Sequence, residues 1–294
     1  MHSKDIKYFD ALVKFQNYTR VAEEFSVTQP TITQAVKRLE KEFGSQLVVQ
    51  DWSHQKTVIT RAGLLLSKNG AIIEHYLSLA HHEIDNTKKS QIRLGLPPII
   101  GTYYFPQVAG QLLSTGLLKQ TNIVESGSDE LLKKLKKGDI DIAILGSIRP
   151  LHFNDIDSVH LGSRPFVIIV SPENPLSNRD SVSFSELIAE RFINLTDRYV
   201  HPIAFKAYCE YADIDPNVIY YSPDISWAKS LVKANIGIAF IEKDAINNSD
   251  GVKILEITDD LPVRFNISVA TRKGYILNES EKHFMEIIEQ MRVS

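Results

Sequence analysis

The chain has 294 residues, with 33 Lys and Arg against 36 Asp and Glu, one cysteine and 43% hydrophobic side chains. That length favours two domains, and the composition excludes a disordered chain. The lone Cys209 excludes an intramolecular disulfide framework and a cysteine-rich zinc site, and no apolar run approaches the roughly 18 residues of a membrane span.

Charge is unevenly spread. Residues 1–90 carry 12 basic and 10 acidic side chains, whereas 91–294 carry 21 and 26. The first part therefore leans weakly toward a polyanionic partner. Asp5, Lys7, Asp10, Lys14 and Arg20 interrupt the first 25 residues, so no signal-peptide core is expected there. A cytoplasmic protein with no membrane partner is expected.

Ile6, Phe9, Leu12, Val13 and Phe15 recur at mostly helical intervals and predict an amphipathic helix over 4–16. Thr19 is expected to cap a short second helix over 20–25, and Ser26-Val27 to make a turn. Thr28 then caps a third helix, with Gln29 and Pro30 in its first turn, where a missing N–H costs nothing. Ile32, Val36, Leu39 and Phe43 form one apolar stripe along it. The other side shows Pro30, Gln34, Lys37 and Lys41, flanked by Thr31, Thr33 and Arg38. Two short helices joined by a tight turn, the second with a polar tip and a basic second half, describe a helix-turn-helix. The tip side chains are short enough to meet base edges in a major groove, and Lys37 and Arg38 can reach phosphates. The competing reading is a three-helix cap whose polar face is merely solvated.

Short β-like runs at 47–50 and 56–60 flank Asp51-Trp52-Ser53-His54-Gln55, a hairpin that would form a wing carrying Lys56. Thr60 is expected to cap a long helix from Arg61. Leu65, Ile72 and Leu79 are seven apart, as are Leu66, Ile73 and Ala80, which suits a seam between two protomers. Packing within one domain is the alternative. Gly70 weakens this helix somewhat.

These residues resemble the LysR-type transcriptional regulators. The matching motifs are T-R-V-A at 19–22, T-Q-P-T-I-T at 28–33, L-E-K-E-F-G at 39–44 and I-T-R-A-G at 59–63. Val21, Val48 and Gln50 depart from the family pattern, and Gln50 stands in place of the arginine whose phosphate contact the family pattern expects from the wing. The resemblance implies double-stranded operator DNA as partner, with Thr28, Gln29, Pro30, Thr31, Thr33, Gln34, Lys37, Arg38 and Lys56 as contacts. It also implies a homodimer or homotetramer, with RNA polymerase as a further partner.

The implied organisation is a winged helix-turn-helix over 1–60, a linker helix over 61–89 and an α/β effector domain over 90–294. That last part resembles a periplasmic solute-binding protein, with subdomain I at 90–162 and 265–294 and subdomain II at 163–264. The residue pattern agrees with an α/β fold. Strands are expected at 92–96, 122–125, 140–145, 166–170, 192–195, 218–221, 236–241 and 265–270. Helices are expected at 99–113, 128–137, 199–211, 225–234 and 279–291, and the alternation argues a parallel-rich sheet. L-K-K-G-D-I-D-I-A-I-L at 135–145 and A-N-I-G-I-A-F-I at 234–241 look much like the family's.

In such a fold a ligand sits between subdomains, at strand-to-helix junctions whose free N–H groups favour a carboxylate. The expected contacts are Pro98, Ile99, Ile100, Ser126, Ser128, Ser147, Thr196 and His201. Each serine or threonine has helix capping as its alternative role. Arg149, Arg198 and Lys229 are basic neighbours read as surface charges. The expected effector is a small organic anion, and overall likeness to the subgroup controlling malolactic fermentation makes L-malate the first guess. No catalytic motif, metal site or cofactor is called for, and His75, His81 and His82 are read as surface residues. The alternatives are an α/β enzyme that binds a small molecule, or a solute sensor with no DNA role.

Overall fold

The computed structural model describes residues 2–51, 56–87, 91–291 and 293. The turn residues 52–55, the last linker residues 88–89 and the Lys56 side chain lie outside the described residues. The chain divides into two units, 1–88 and 89–294.

The first unit begins with α1 (Ser3–Phe15), α2 (Tyr18–Glu24) and α3 (Gln29–Phe43). Asn17, not Thr19, caps α2: its side chain accepts the Arg20 N–H at 3.0 Å. Thr28 is the cap residue of α3 by position, but its hydroxyl pairs with that of Thr31 at 2.9 Å. Ile32, Ala35, Val36 and Leu39 are buried against Phe9, Leu12 and Val21, while Phe43, the expected end of the stripe, is exposed. The wing strands β1 (Val48–Asp51) and β2 (Lys56–Ile59) pair antiparallel.

The family motifs have local physical causes here. Glu40 accepts the Leu47 N–H at 2.9 Å, which ties α3 to the wing, and Gly44 ends the helix in the left-handed conformation. Thr60 accepts the Gly63 N–H at 3.0 Å and donates to the Gln46 carbonyl at 2.8 Å, so one side chain caps α4 (Arg61–Asn86) and holds the wing. Gly63 leaves no room for a side chain: a Cβ would strike the Leu47 carbonyl and lie 2.7 Å from Ile59 Cγ2. Gly70 has a similar reason, since a Cβ there would lie 2.8 Å from Ile6 Cγ2 where α4 packs on α1.

Leu66 corrects the seam expected along α4. It is buried in the core of the first unit, whereas Leu65, Ile72, Ile73, Tyr76, Leu77 and Ile84 are exposed. Ile73, Leu77, Ala80 and Ile84 keep 4-3-4 spacing on the free side.

The second unit runs β3 (Ile92–Leu96), α5 (Pro98–Tyr103), α6 (Pro106–Ser114), α7 (Leu117–Gln120), β4 (Thr121–Glu125), α8 (Ser128–Lys137), β5 (Ile142–Ser147) and β6 (Ile156–Arg164). It continues through β7 (Phe166–Val170), β8 (Ser181–Val182), β9 (Arg191–Leu195), α9 (His201–Ala212), β10 (Asn217–Ser222), α10 (Ile225–Lys233) and β11 (Ala239–Glu242). It closes with β12 (Lys253–Ile257), β13 (Phe265–Arg272) and α11 (Glu279–Ile288). The single helix expected over 99–113 is two, because Pro106 cannot continue α5 and instead starts α6.

The first lobe is a five-stranded sheet ordered β4-β3-β5-β13-β6. The second holds the sheet β11-β7-β12-β8 and the parallel pair β9-β10. Neither larger sheet is parallel-rich: β13 runs antiparallel to β5 and β6, and β7 antiparallel to β11 and β12. The chain crosses between lobes in two places, from Arg164 to Phe166 and again before Phe265, and one apolar core spans both lobes.

Candidate functional site

Helix α3 is amphipathic in a way that leaves its tip available. The inner face is held by Ile32, Ala35, Val36 and Leu39, so Thr28, Gln29, Pro30, Gln34 and Lys37 point into solvent, with Thr31 and Thr33 half-buried. The Thr33 hydroxyl donates to the Gln29 carbonyl at 3.2 Å, which keeps it close to the helix. Gln29, Gln34 and Lys37 make no side-chain hydrogen bond or ion pair among the described residues.

Arg38 has a different task from the phosphate contact expected of it. Its Nε and Nη2 donate to the two oxygens of Asp5 at 3.0 and 2.5 Å, pinning α3 to α1. Burial pushes the Asp5 carboxyl up, but the Arg38 hydrogen bonds, the His2 backbone N–H and the Arg38 charge hold it net below the usual carboxylate range. Asp5 is a buried-pair residue that the sequence signals only by its type and place, an acid beside Ile6 on the buried side of an amphipathic helix.

In the second unit the expected effector contacts cluster at three junctions, and most are already engaged. Ser128 accepts the Gly146 N–H at 2.9 Å. Ser126 donates to Glu130, and Ser147 to the Arg149 carbonyl at 2.6 Å. Pro98 and Thr196 are half-buried. The side chains of Ile99 and Ile100 are buried in the core, so a ligand contact there is limited to the backbone.

His201 is a further correction. It is 0% exposed, and its Nε2 lies 2.5 Å from Oε2 of Glu242, itself 0% exposed. Phe166 and Phe265 pack on its ring. His201 and Glu242 hold the start of α9 against the end of β11. Glu242 was visible as an acid ending the buried run I-A-F-I. Lys229 was read as a surface charge but is 6% exposed and donates to Asp250 and to the Ala245 carbonyl, both at 2.8 Å. Its Nζ also lies 3.4 Å from the Tyr103 hydroxyl, a contact from the second lobe to the first.

The junctions themselves meet. Arg198, in the loop after β9, pairs with Glu125 at the end of β4, and Gly127 abuts the Arg198 backbone. Cys209 is buried, and burial pushes its thiol up to about 11. Among the described residues no helix is long and apolar enough to cross a membrane.

Comparison with known proteins agrees with this layout. Residues 3–64 match the bacterial regulatory helix-turn-helix protein, lysR family, and residues 85–292 match the LysR substrate binding domain. The chain is 31% identical over 294 residues to the malolactic fermentation system transcriptional activator of Lactococcus lactis, covering 99% of each. It is 24% identical to the DNA-binding transcriptional dual regulator OxyR of Escherichia coli, covering 98% of this chain and 95% of that one. Among solved structures, full-length BenM superposes with a TM-score of 0.56 at 20% identity, covering 99% of this chain and 96% of that one. The effector binding domain of QuiR in complex with shikimate gives 0.60 at 21%, covering 68% and 95%.

Proposed function

This chain belongs to the LysR family of bacterial transcriptional regulators, and from that membership we propose that its α3 tip reads an operator while a small organic anion bound between the two lobes of 91–294 sets its output. The observation that carries the DNA half is the division of α3. One face is locked into the core and into Asp5, and the other presents Thr28, Gln29, Pro30, Thr31, Thr33, Gln34 and Lys37. Gln29 and Gln34 suit adenine edges, and Lys37 suits a phosphate.

Two copies joined through the free side of α4 would present two such tips to half-sites one helical turn apart. This work belongs in the cytoplasm, where the chromosome lies, with RNA polymerase as a further partner. The anion half is supported by three strand-to-helix junctions rich in hydroxyls and backbone N–H groups. L-malate is the first candidate because the 31% identical relative is named for malolactic fermentation. A tenfold preference of the ligand for one lobe arrangement supplies about 1.4 kcal/mol, enough to alter DNA bending without abolishing binding.

The test is calorimetry of the full chain against C3–C6 carboxylates, repeated with Ser128→Ala and Thr196→Val. The reading expects a sub-millimolar carboxylate whose binding both variants weaken. If no carboxylate reaches that range, or both variants bind the best one unchanged, the anion site is elsewhere.

A further inference from the structure

Two contacts join the junctions of the effector unit directly. The first is of charge: an Nη2 N–H of Arg198, in the second lobe, donates to Oε1 of Glu125, in the first. The second is of backbone. A Cβ on Gly127 would lie 2.5 Å from the Arg198 carbonyl oxygen, so the loop after β9 rests on the start of α8 with no side chain between them. Both contacts fall between Ser126 and Ser128 on one side and the loop that follows Thr196 on the other, two of the strand-to-helix junctions proposed to take the ligand.

Arg198 differs from the other cation nearby. Lys229 is buried and held by three oxygens, so freeing it would deprive the half-buried Asp250 of its cation. Arg198 is 43% exposed and its partner Glu125 is 60% exposed. An ion pair in that much water contributes little net stability, and one carboxylate can replace another on it at small cost. Glu125 also takes only one N–H of a guanidinium built to hold a carboxylate by two.

We infer that Glu125 holds the place of an effector carboxylate on Arg198. Without ligand the pair clasps the two lobes together. An anion entering between them takes Arg198 from Glu125 and trades the intramolecular clasp for a bridge through itself. The clasp lowers apparent affinity by the fraction of molecules in which it is closed, so Glu125 tunes sensitivity without being part of the bound state. This rests on the reading of 91–294 as an anion-binding domain.

The experiment has two arms on the full chain. In calorimetry with L-malate and the other C3–C6 carboxylates, E125Q should bind the best ligand about two- to fivefold more tightly than the parent, the range an exposed ion pair supports. R198Q should bind it at least tenfold more weakly. Parent-like binding by R198Q overturns the inference. In amide hydrogen exchange without ligand, E125Q and R198Q should each speed exchange over 126–131 and 198–204, and the reversed pair E125R/R198E should restore it. Unchanged exchange in both single variants overturns the clasp. Should no carboxylate bind the parent, the anion reading fails and takes the ligand half with it, while the exchange arm still decides the clasp.

Discussion

Arg38 and Asp5 join the third helix to the first through two hydrogen bonds, at 3.0 and 2.5 Å, across 33 positions of sequence. Because Asp5 is held below its usual carboxylate range in the folded chain, its contribution to stability is present above the unfolded value of about 3.9 and is lost as pH falls through the folded value. Arg38→Gln removes the partner. The urea midpoint of the variant should fall below that of the parent at pH 7, and the gap should narrow below about pH 4 as Asp5 is protonated in both. A gap that stays constant down to pH 3 would show that the pair does not hold Asp5 ionised.

Gly63 and Leu66 test how the wing and the first turns of α4 are packed. Gly63→Ala forces a methyl between the Leu47 carbonyl and Ile59, and should cost about 1–3 kcal/mol of stability by overpacking. Leu66→Ala empties a core position and should cost about 2–5 kcal/mol. Leu65→Ala, one residue away on the exposed side, should stay within about 0.5 kcal/mol in a monomeric fragment. Equal costs at 65 and 66 would mean the face of α4 is misassigned.

Much of this architecture is local and was therefore legible. Helix α3 follows from its apolar spacing and α8 from Gly127 before it and Gly138 after it, and β7 is an unbroken apolar run. Strand β6 was not foreseen, because it lies at the sheet edge with His160 and Val159 exposed, so its alternation of apolar and polar residues is weak. The antiparallel return of β13 depends on pairing with β5 across some 120 residues, which no local pattern reveals. Asn17 and Thr19 are both good caps, and only the backbone path selects Asn17. The candidate site divides the same way. Exposed Gln29, Gln34 and Lys37 could be read from helical spacing, whereas the partners of Arg38, Lys229 and His201 come from distant segments.

The free side of α4 should bind a second copy. Ile73 and Leu77 are 45% and 37% exposed among the described residues, a pair of apolar residues four apart on one helix face. Placing Glu at both, as Ile73→Glu with Leu77→Glu, sets like charges against each other in any symmetric seam. Sedimentation should show a shift toward monomer, with operator affinity falling at least tenfold as the two tips become independent. Parent-like sedimentation and affinity would move the interface off this helix.

The most direct measurement is a salt-resolved footprint of the full chain on the DNA upstream of its own gene, with Gln29→Ala, Gln34→Ala and Lys37→Ala beside the parent. Each glutamine variant should lose about 1–3 kcal/mol of preference for the protected site over competitor DNA while keeping the parental salt slope. Lys37→Ala should weaken specific and competitor binding alike and reduce that slope by about one. If both glutamine variants protect the same bases with undiminished preference, α3 is not the element that reads the operator.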